Sequence, residues 1–209
     1  MARPSKPLIS RERAAQVAIE AIEDVGLDKF SLNILAARLG VSAPSLYYHF
    51  RNKAELFEEV VRTLLMAVRV RYASSDSYGE RLIATCLAAR KTLLDHPQVA
   101  ILVLQFFPRT VMLEAYEDAV RDAPFSTEHK LAVIEGTEKL TFGSALFSAS
   151  ARNTGMSAFP PFDPNRFPSL ADAIAANRLS DDDLFRETIL IFLNGLDARY
   201  GGKRAPDYT

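Results

Sequence analysis

The sequence contains one cysteine, Cys86, in 209 residues. A lone cysteine excludes an internal disulfide, and its setting among Leu82, Ile83 and Leu87 suggests a buried small hydrophobe. No apolar run approaches the roughly 18 residues that a membrane-spanning helix needs, and the first residues form a short polar, basic tail without a hydrophobic signal region. The expectation is therefore a cytoplasmic chain with no membrane partner. Gly-rich phosphate loops, nucleophile elbows and paired carboxylates are missing, so no enzyme activity is expected. His96 and His129 stand alone without metal-ligand spacing, and neither a metal nor another cofactor is expected. No stretch alternates as a strand would, so the class is all-α.

Net charge is only −1, but it is unevenly placed. Residues 1–53 carry eight Lys/Arg against five acids, a charge of +3, which leaves −4 on the remainder. A basic head on an acidic body is expected where the head alone meets phosphate. At 48% hydrophobic content the chain can bury a substantial core.

Residues 1–9, with Pro4 and Pro7 among basic side chains, read as an arm of the kind that adds phosphate or minor-groove contacts. From the N-cap Ser10, a first helix carries Ala14, Ala18, Ala21, Ile22 and Val25 on one face and stops at Gly26. Ser31 caps a second helix with Leu35, Ala36 and Leu39 inward, and Gly40 permits a tight turn. Ser42 caps a very short third helix that tolerates Pro44 in its first turn and points Leu46 and Phe50 inward. Ala43, Pro44, Ser45, Tyr47, Tyr48 and His49 are then left outward, an odd surface for a monomer but suited to a DNA groove. Tyr47, Tyr48 and His49 can donate to phosphates, Ser45 can reach a base edge, and Ala43 or Pro44 can touch a thymine methyl. Asn52 and Glu55 resemble a capping box that starts a fourth helix through Leu56, Val60, Leu64 and Val68. Lys53 and the amide-rich start of that helix can hold a phosphate. A helix-turn-helix head over residues 10–53 and a separate body over 54–209 are expected.

In the body, Leu82, Cys86, Ala89 and Leu93 form a helical stripe that ends at Pro97. Val99 to Phe107 is too apolar for a surface helix, so it is expected to be interior or to line a cavity. Pro108 can open a helix through Met112, Ala115, Tyr116 and Ala119. Residues 127–153 read as one long helix in which Gly136 and Gly143 would each cost about 1 kcal/mol relative to Ala unless something packs closely there. The proline-rich stretch Thr154 to Pro168 reads as a loop. Ser180 with Asp181, Asp182 and Asp183 is an acidic helix start. The helix that follows, Leu184 to Tyr200, is apolar on nearly every side and ends at Gly201 and Gly202, so it needs a partner beyond its own subunit.

The segment LAARLGVSAPSLYYHFRNKAELF, Leu35 to Phe57, resembles the tetracycline-repressor (TetR) family of bacterial regulators. That family's pattern runs Leu-Ala, Leu-Gly-Val, Leu-Tyr-x-His and Asn-Lys-x-x-Leu with a helix on each side. FPSLADAI and DDLFRETILIFLNGLDARYG resemble its tetracycline-repressor type of C-terminal domain. The resemblance implies a three-helix DNA-binding head, a helical ligand-binding body and a homodimer built on a four-helix bundle. Carried over by position, the DNA contacts fall on Ser31, Asn33, Ser42, Ala43, Pro44, Ser45, Tyr47, Tyr48, His49 and Lys53. Effector contacts are expected on Leu64, Leu102, Phe106, Phe107 and Phe142, apolar side chains that more often simply pack a core, and on Thr85, Val103 and Phe147, which the resemblance places at the drug site. The bundle it implies comes from the helix at 127–153 and the last helix, with Gly136, Gly143, Leu146, Ile189, Phe192, Leu193 and Leu196 expected at the dimer contact. Asn33 stands where the tetracycline repressors have a basic residue. Val103 and Phe147 replace their magnesium-binding histidine and acid, and Thr85 replaces a drug-gripping amide. A drug–magnesium chelate needs oxygen and nitrogen ligands, so the effector expected here is metal-free and apolar or aromatic. The expected function is a ligand-responsive repressor released from a palindromic double-stranded DNA operator. The alternative is an all-α small-molecule-binding protein without specific DNA binding.

Overall fold

The computed structural model describes residues 9–155 and 159–200. The expected arm, apart from Ile9, and the terminal glycine stop lie outside the described residues. Among the described residues the regular structure is entirely helical.

Helix α1 (Arg11–Val25) starts where the Ser10 hydroxyl accepts the Arg13 N–H at 3.0 Å and stops at Gly26, whose φ of +83° suits a residue without Cβ. Its buried face is wider than the stripe predicted, taking in Ala15, Val17 and Ile19 as well. The cause is position: α1 packs against α2 (Leu32–Leu39), α4 (Lys53–Met66) and, on the body side, α6 (Pro97–Ala100). Ser31 caps α2 by accepting the Ile34 N–H, and Gly40 closes it in the left-handed region at φ +67°, donating back to Ala36 and Ala37. The one-turn α3 (Ala43–Leu46) has Pro44 in its first turn. The Ser42 hydroxyl does not cap it but shares a 2.8 Å hydrogen bond with the Ser45 hydroxyl. At the start of α4, Asn52 accepts the Glu55 N–H at 2.9 Å, while Glu55 reaches back to the Arg51 N–H at 2.6 Å and not to that of Asn52. The reciprocal box is thus displaced by one residue. α4 ends at Met66, short of Val68, where Arg69 donates to the Met66 and Val68 carbonyls.

Helix α5 (Tyr78–Asp95) opens on a complete Ser77–Glu80 capping box. Val99 to Phe107 forms two single turns, α6 and α7 (Val103–Phe106). Val99, Ala100, Leu102 and Val103 are buried, but Ile101 and Leu104 face out, so the expected interior position holds for only one side of the segment. Pro108 does not open a helix: α8 (Leu113–Asp122) begins five residues later and buries none of its residues. Tyr116 docks it on the next helix by donating to Glu138 at 2.9 Å. The long α9 (Thr127–Thr154) buries Val133, Thr137, Thr141, Ala145 and Ala149, a strict four-residue stripe. A helix not assigned from the sequence, α10 (Pro168–Ala176), follows the proline-rich loop with Pro168 in its first turn. Ser180 and Asp183 cap α11 (Asp181–Tyr200) reciprocally, the Ser180 hydroxyl accepting the Asp183 N–H at 3.1 Å.

Two apolar cores result. The first runs from Ile9 through the head and α4 to Leu102, Val103, Ala145 and Ala149, crossing residue 53 without a break. The second joins Ile83 and Cys86 of α5 to Val133 of α9 and to Phe185, Ile189, Leu193 and Leu196 of α11. Between α5, α9 and α11 lies Arg90, whose side chain is 2% exposed. A buried guanidinium must be paired. Arg90 donates to Ser144 at 2.9 Å, Ser148 at 3.1 Å, Asp181 at 2.5 Å and Asp182, and it sits 5.1 Å from the centre of the Phe185 ring.

Candidate nucleic-acid interface and ligand-binding body

The outer surface of the head is set by what α3 buries. Leu46 and Phe50 are sealed in the core, which turns Tyr47 and Tyr48 to solvent, Tyr48 being 90% exposed. Ser42, Pro44 and, on α2, Asn33 are exposed as well, and Ala43, Ser45 and His49 are half-buried. Arg11 of α1 holds this end of the head, donating to the His49 carbonyl and lying 4.5 Å from the Phe50 ring centre. Ser31 is half-buried with its hydroxyl committed to the Ile34 N–H. Lys53 is turned inward: its ammonium donates to the Phe30 carbonyl at 2.9 Å and lies 5.4 and 5.1 Å from the Phe30 and Phe57 ring centres. The outward cation at this edge is Arg51, whose side chain is 87% exposed while pairing with Glu55 at 2.9 Å. The Arg51 N–H, and then that pairing, hold the Glu55 carboxyl below its ordinary range. The sequence reading counted Arg51 only as charge. Its place directly between α3 and α4 was the available signal.

Of the residues assigned to an effector, Leu64, Leu102, Val103, Phe106, Phe107 and Phe142 meet in the first core. Phe57 and Phe106 pack edge-to-face at 5.5 Å, as do Phe107 and Phe142 at 5.2 Å. Thr85 does not join them. Its hydroxyl lies 2.6 Å from that of Tyr72 in a separate cleft of about 310 Å³ bounded by α5 and α8. Phe147 is 83% exposed, on the side of α9 turned away from its buried stripe.

The residues assigned to the dimer divide similarly. Ile189, Leu193 and Leu196 are buried within the chain's own second core, and Leu146 packs on the first. Gly136 meets Phe192 of the same chain, and Gly143 faces open space. The apolar side chains left outside on α9 and α11 are Leu131, Phe147, Leu184 and Ile191. Much of the apolar circumference of α11 is therefore used inside the subunit.

Among the described residues, no group of three or more His, Cys, Asp or Glu is placed to hold a metal ion, and no helix is long and apolar enough to cross a membrane. His129 accepts or donates to Ser126 at 2.6 Å and stacks on Tyr200, and His96 lies at the junction of α5 and α6. Cys86 is buried, and that burial raises its thiol pKa.

Residues 15–60, the three helices of the head with the first half of α4, match the family described as bacterial regulatory proteins, tetR family. Over these residues the chain is similar to the TetR family. An HTH-type transcriptional regulator of Saccharopolyspora erythraea is 32% identical over 98 residues, 47% of this chain and 42% of that relative, so the match spans less than half of the relative's length. The class D tetracycline repressor of Escherichia coli is 27% identical over 202 residues, covering 93% of this chain and 88% of the repressor. Among solved structures, a putative transcriptional regulator from Streptomyces coelicolor A3(2) superposes with a TM-score of 0.71 at 26% identity over 91% of this chain and 98% of that one. As in its TetR-family relatives, this chain combines a helix-turn-helix head with an all-helical body.

Proposed function

We propose that this chain is a DNA-binding transcriptional regulator, a repressor that acts as a cytoplasmic homodimer and leaves a palindromic operator when a small apolar or aromatic effector binds. What carries the reading is the pair Tyr47 and Tyr48, exposed at the end of a one-turn helix whose other face is sealed by Leu46 and Phe50. Such a helix offers its first residues to a major groove. Ala43 and Pro44 meet thymine methyls, Ser45 a base edge, and Tyr47, Tyr48 and His49 the phosphates. Asn33 and Ser31 flank the same groove from α2. Arg51, outward and cationic, joins the phosphate contacts, whereas Lys53 contributes by bracing the head on Phe30 and Phe57. With a head charge of +3, one copy binds weakly, and two heads at a fixed half-site spacing supply the affinity.

The second copy covers the outer faces of α9 and α11, where Leu131, Phe147 and Ile191 are exposed and Gly143 leaves room for close approach. The effector enters beside Phe106, Phe107 and Phe142. Phe57 of α4 packs directly on Phe106, so separating these rings shifts the helix that opens at the head. Effector and operator then weaken each other's binding by the same factor.

The test is selection of bound duplexes from random DNA, followed by gel shift on the enriched sequence. A regulator enriches a two-fold symmetric site bound by two chains. Recovery of unenriched DNA would instead favour a small-molecule-binding protein without sequence preference.

A further inference from the structure

The head meets the body at a second place, remote from Phe57 and Phe106. Glu23, in the last turn of α1, accepts the backbone N–H of Val99 at 3.0 Å. Val99 is the third residue of α6, and that helix has no side-chain cap of its own. The head thus supplies the cap of a body helix. The joint is partly sheltered, and burial pushes the Glu23 carboxyl up against the opposing pull of the Val99 N–H.

Beside this joint lies a cleft of about 500 Å³ between the α1–α2 link and the ends of α6 and α9. Val25, Leu27, Ile101 and Leu146 give it apolar walls. At its edge Gln98 donates to Asn153 at 3.1 Å and Asn153 donates to the Pro97 carbonyl at 2.8 Å. Asp28 and Lys29, of opposite sign, both line it, so no net field favours an ion. The volume falls within the range of roughly 300–1,000 Å³ usual for small-molecule sites, and apolar walls with a few polar groups are their usual lining.

We propose that this cleft is a second control site. A compact, uncharged amphipathic molecule, an apolar ring bearing hydroxyl or amide groups at one end, binds there and weakens DNA binding by parting Glu23 from Val99. The proposal rests on the DNA-binding reading above. α1 packs against both α2 and α4, so lifting its end from α6 tilts the head as a unit. Only a ligand that binds the parted state better can shift the balance, and a molecule wedged between the two elements does so by its volume.

The test fills the cleft covalently. In a Cys86→Ala background, Ser150→Cys places an exposed thiol on the lining, and benzyl methanethiosulfonate attaches an aromatic ring to it. Affinity is read on a duplex enriched by the wild-type chain. The expected result is a loss of tenfold or more on labelling, with recovery when dithiothreitol removes the ring. In a Glu23→Ala variant, which lacks the joint, labelling should change affinity less than twofold. Complete labelling with unchanged affinity overturns the proposal, as does an equal loss from the same ring on Lys91→Cys, an exposed position of α5 outside both the cleft and the proposed dimer face. If the wild-type chain enriches no duplex, the DNA-binding reading itself fails and the proposal falls with it.

Discussion

The ring of Phe192 on α11 lies so close to Gly136 on α9 that a Cβ added there would stand 2.1 Å from its Cζ. A helical glycine that would otherwise be unfavourable is thereby explained within one subunit. Gly136→Ala should destabilise the chain by about 1–3 kcal/mol through overpacking. In a Phe192→Ala background the same change should instead stabilise by about 1 kcal/mol, since only helix propensity remains. Urea unfolding of the four proteins in this cycle checks the reversal of sign.

Arg90 and its partners should respond unequally. Asp181 and Asp182 are more than half exposed, whereas the guanidinium is not. Arg90→Met leaves two carboxylates that water can solvate, while Asp181→Asn with Asp182→Asn leaves a buried cation without a counter-charge. The double Asn variant should lose more, about 3 kcal/mol, and the Met variant less. Equal losses in chemical denaturation would contradict this account of the pair.

The capping box at α5 predicts a pH signature. Ser77 holds the Glu80 carboxyl below its ordinary value of 4.5 by hydrogen bonds to the ionised form. Its stabilising effect is present above the unfolded pKa and lost as pH falls through the lower folded value. Glu80→Gln should therefore melt below wild type at pH 7, with the gap closing at pH values under 4.5. A gap that persists unchanged in strong acid would exclude the charged cap.

Two cations at the α3–α4 junction should separate by salt dependence. Arg51→Ala should lower the slope of log K against log salt by about 0.9, as expected for one phosphate contact, with little effect on stability. Lys53→Ala should cost about 1–2 kcal/mol of folding stability through the lost Phe30 carbonyl bond and ring contacts. Paired salt titrations and melting curves distinguish them. Stability unchanged in the Lys53 variant would remove its bracing role.

Much of the head was legible because its signals are local. Ser31, Gly40, Pro44 and Asn52 each fix a helix end through their own backbone geometry, and Leu46 and Phe50 determine by burial what Tyr47 and Tyr48 present. The body was less legible because its choices are tertiary. Leu82 and Ile83 are equally apolar, so the α5 stripe could be read in two registers, and the buried one runs through Ile83, Cys86, Arg90 and Leu93 instead of Leu82 and Ala89. The Asp181–Asp182 pair read as a helix start until Arg90 supplied its other purpose, while Asp183 alone keeps the cap. Lys53 looked like a free cation because nothing local shows that the Phe30 carbonyl, 23 residues earlier, waits for it. The apolar excess of α11 suggested a second subunit, although α5 and α9 already bury much of it.

On the proposed function, α3 reads DNA sequence, twice, in a symmetric pair. The most direct measurement takes the enriched duplex, changes each base pair in turn, and compares affinities of the wild-type chain and Ser45→Ala. Ser45→Ala is expected to erase discrimination of about 1–3 kcal/mol at one position, and at the symmetry-related position of the other half-site, leaving other positions intact. Superimposable profiles for the two proteins, or a wild-type profile with no discrimination at any position, would contradict it.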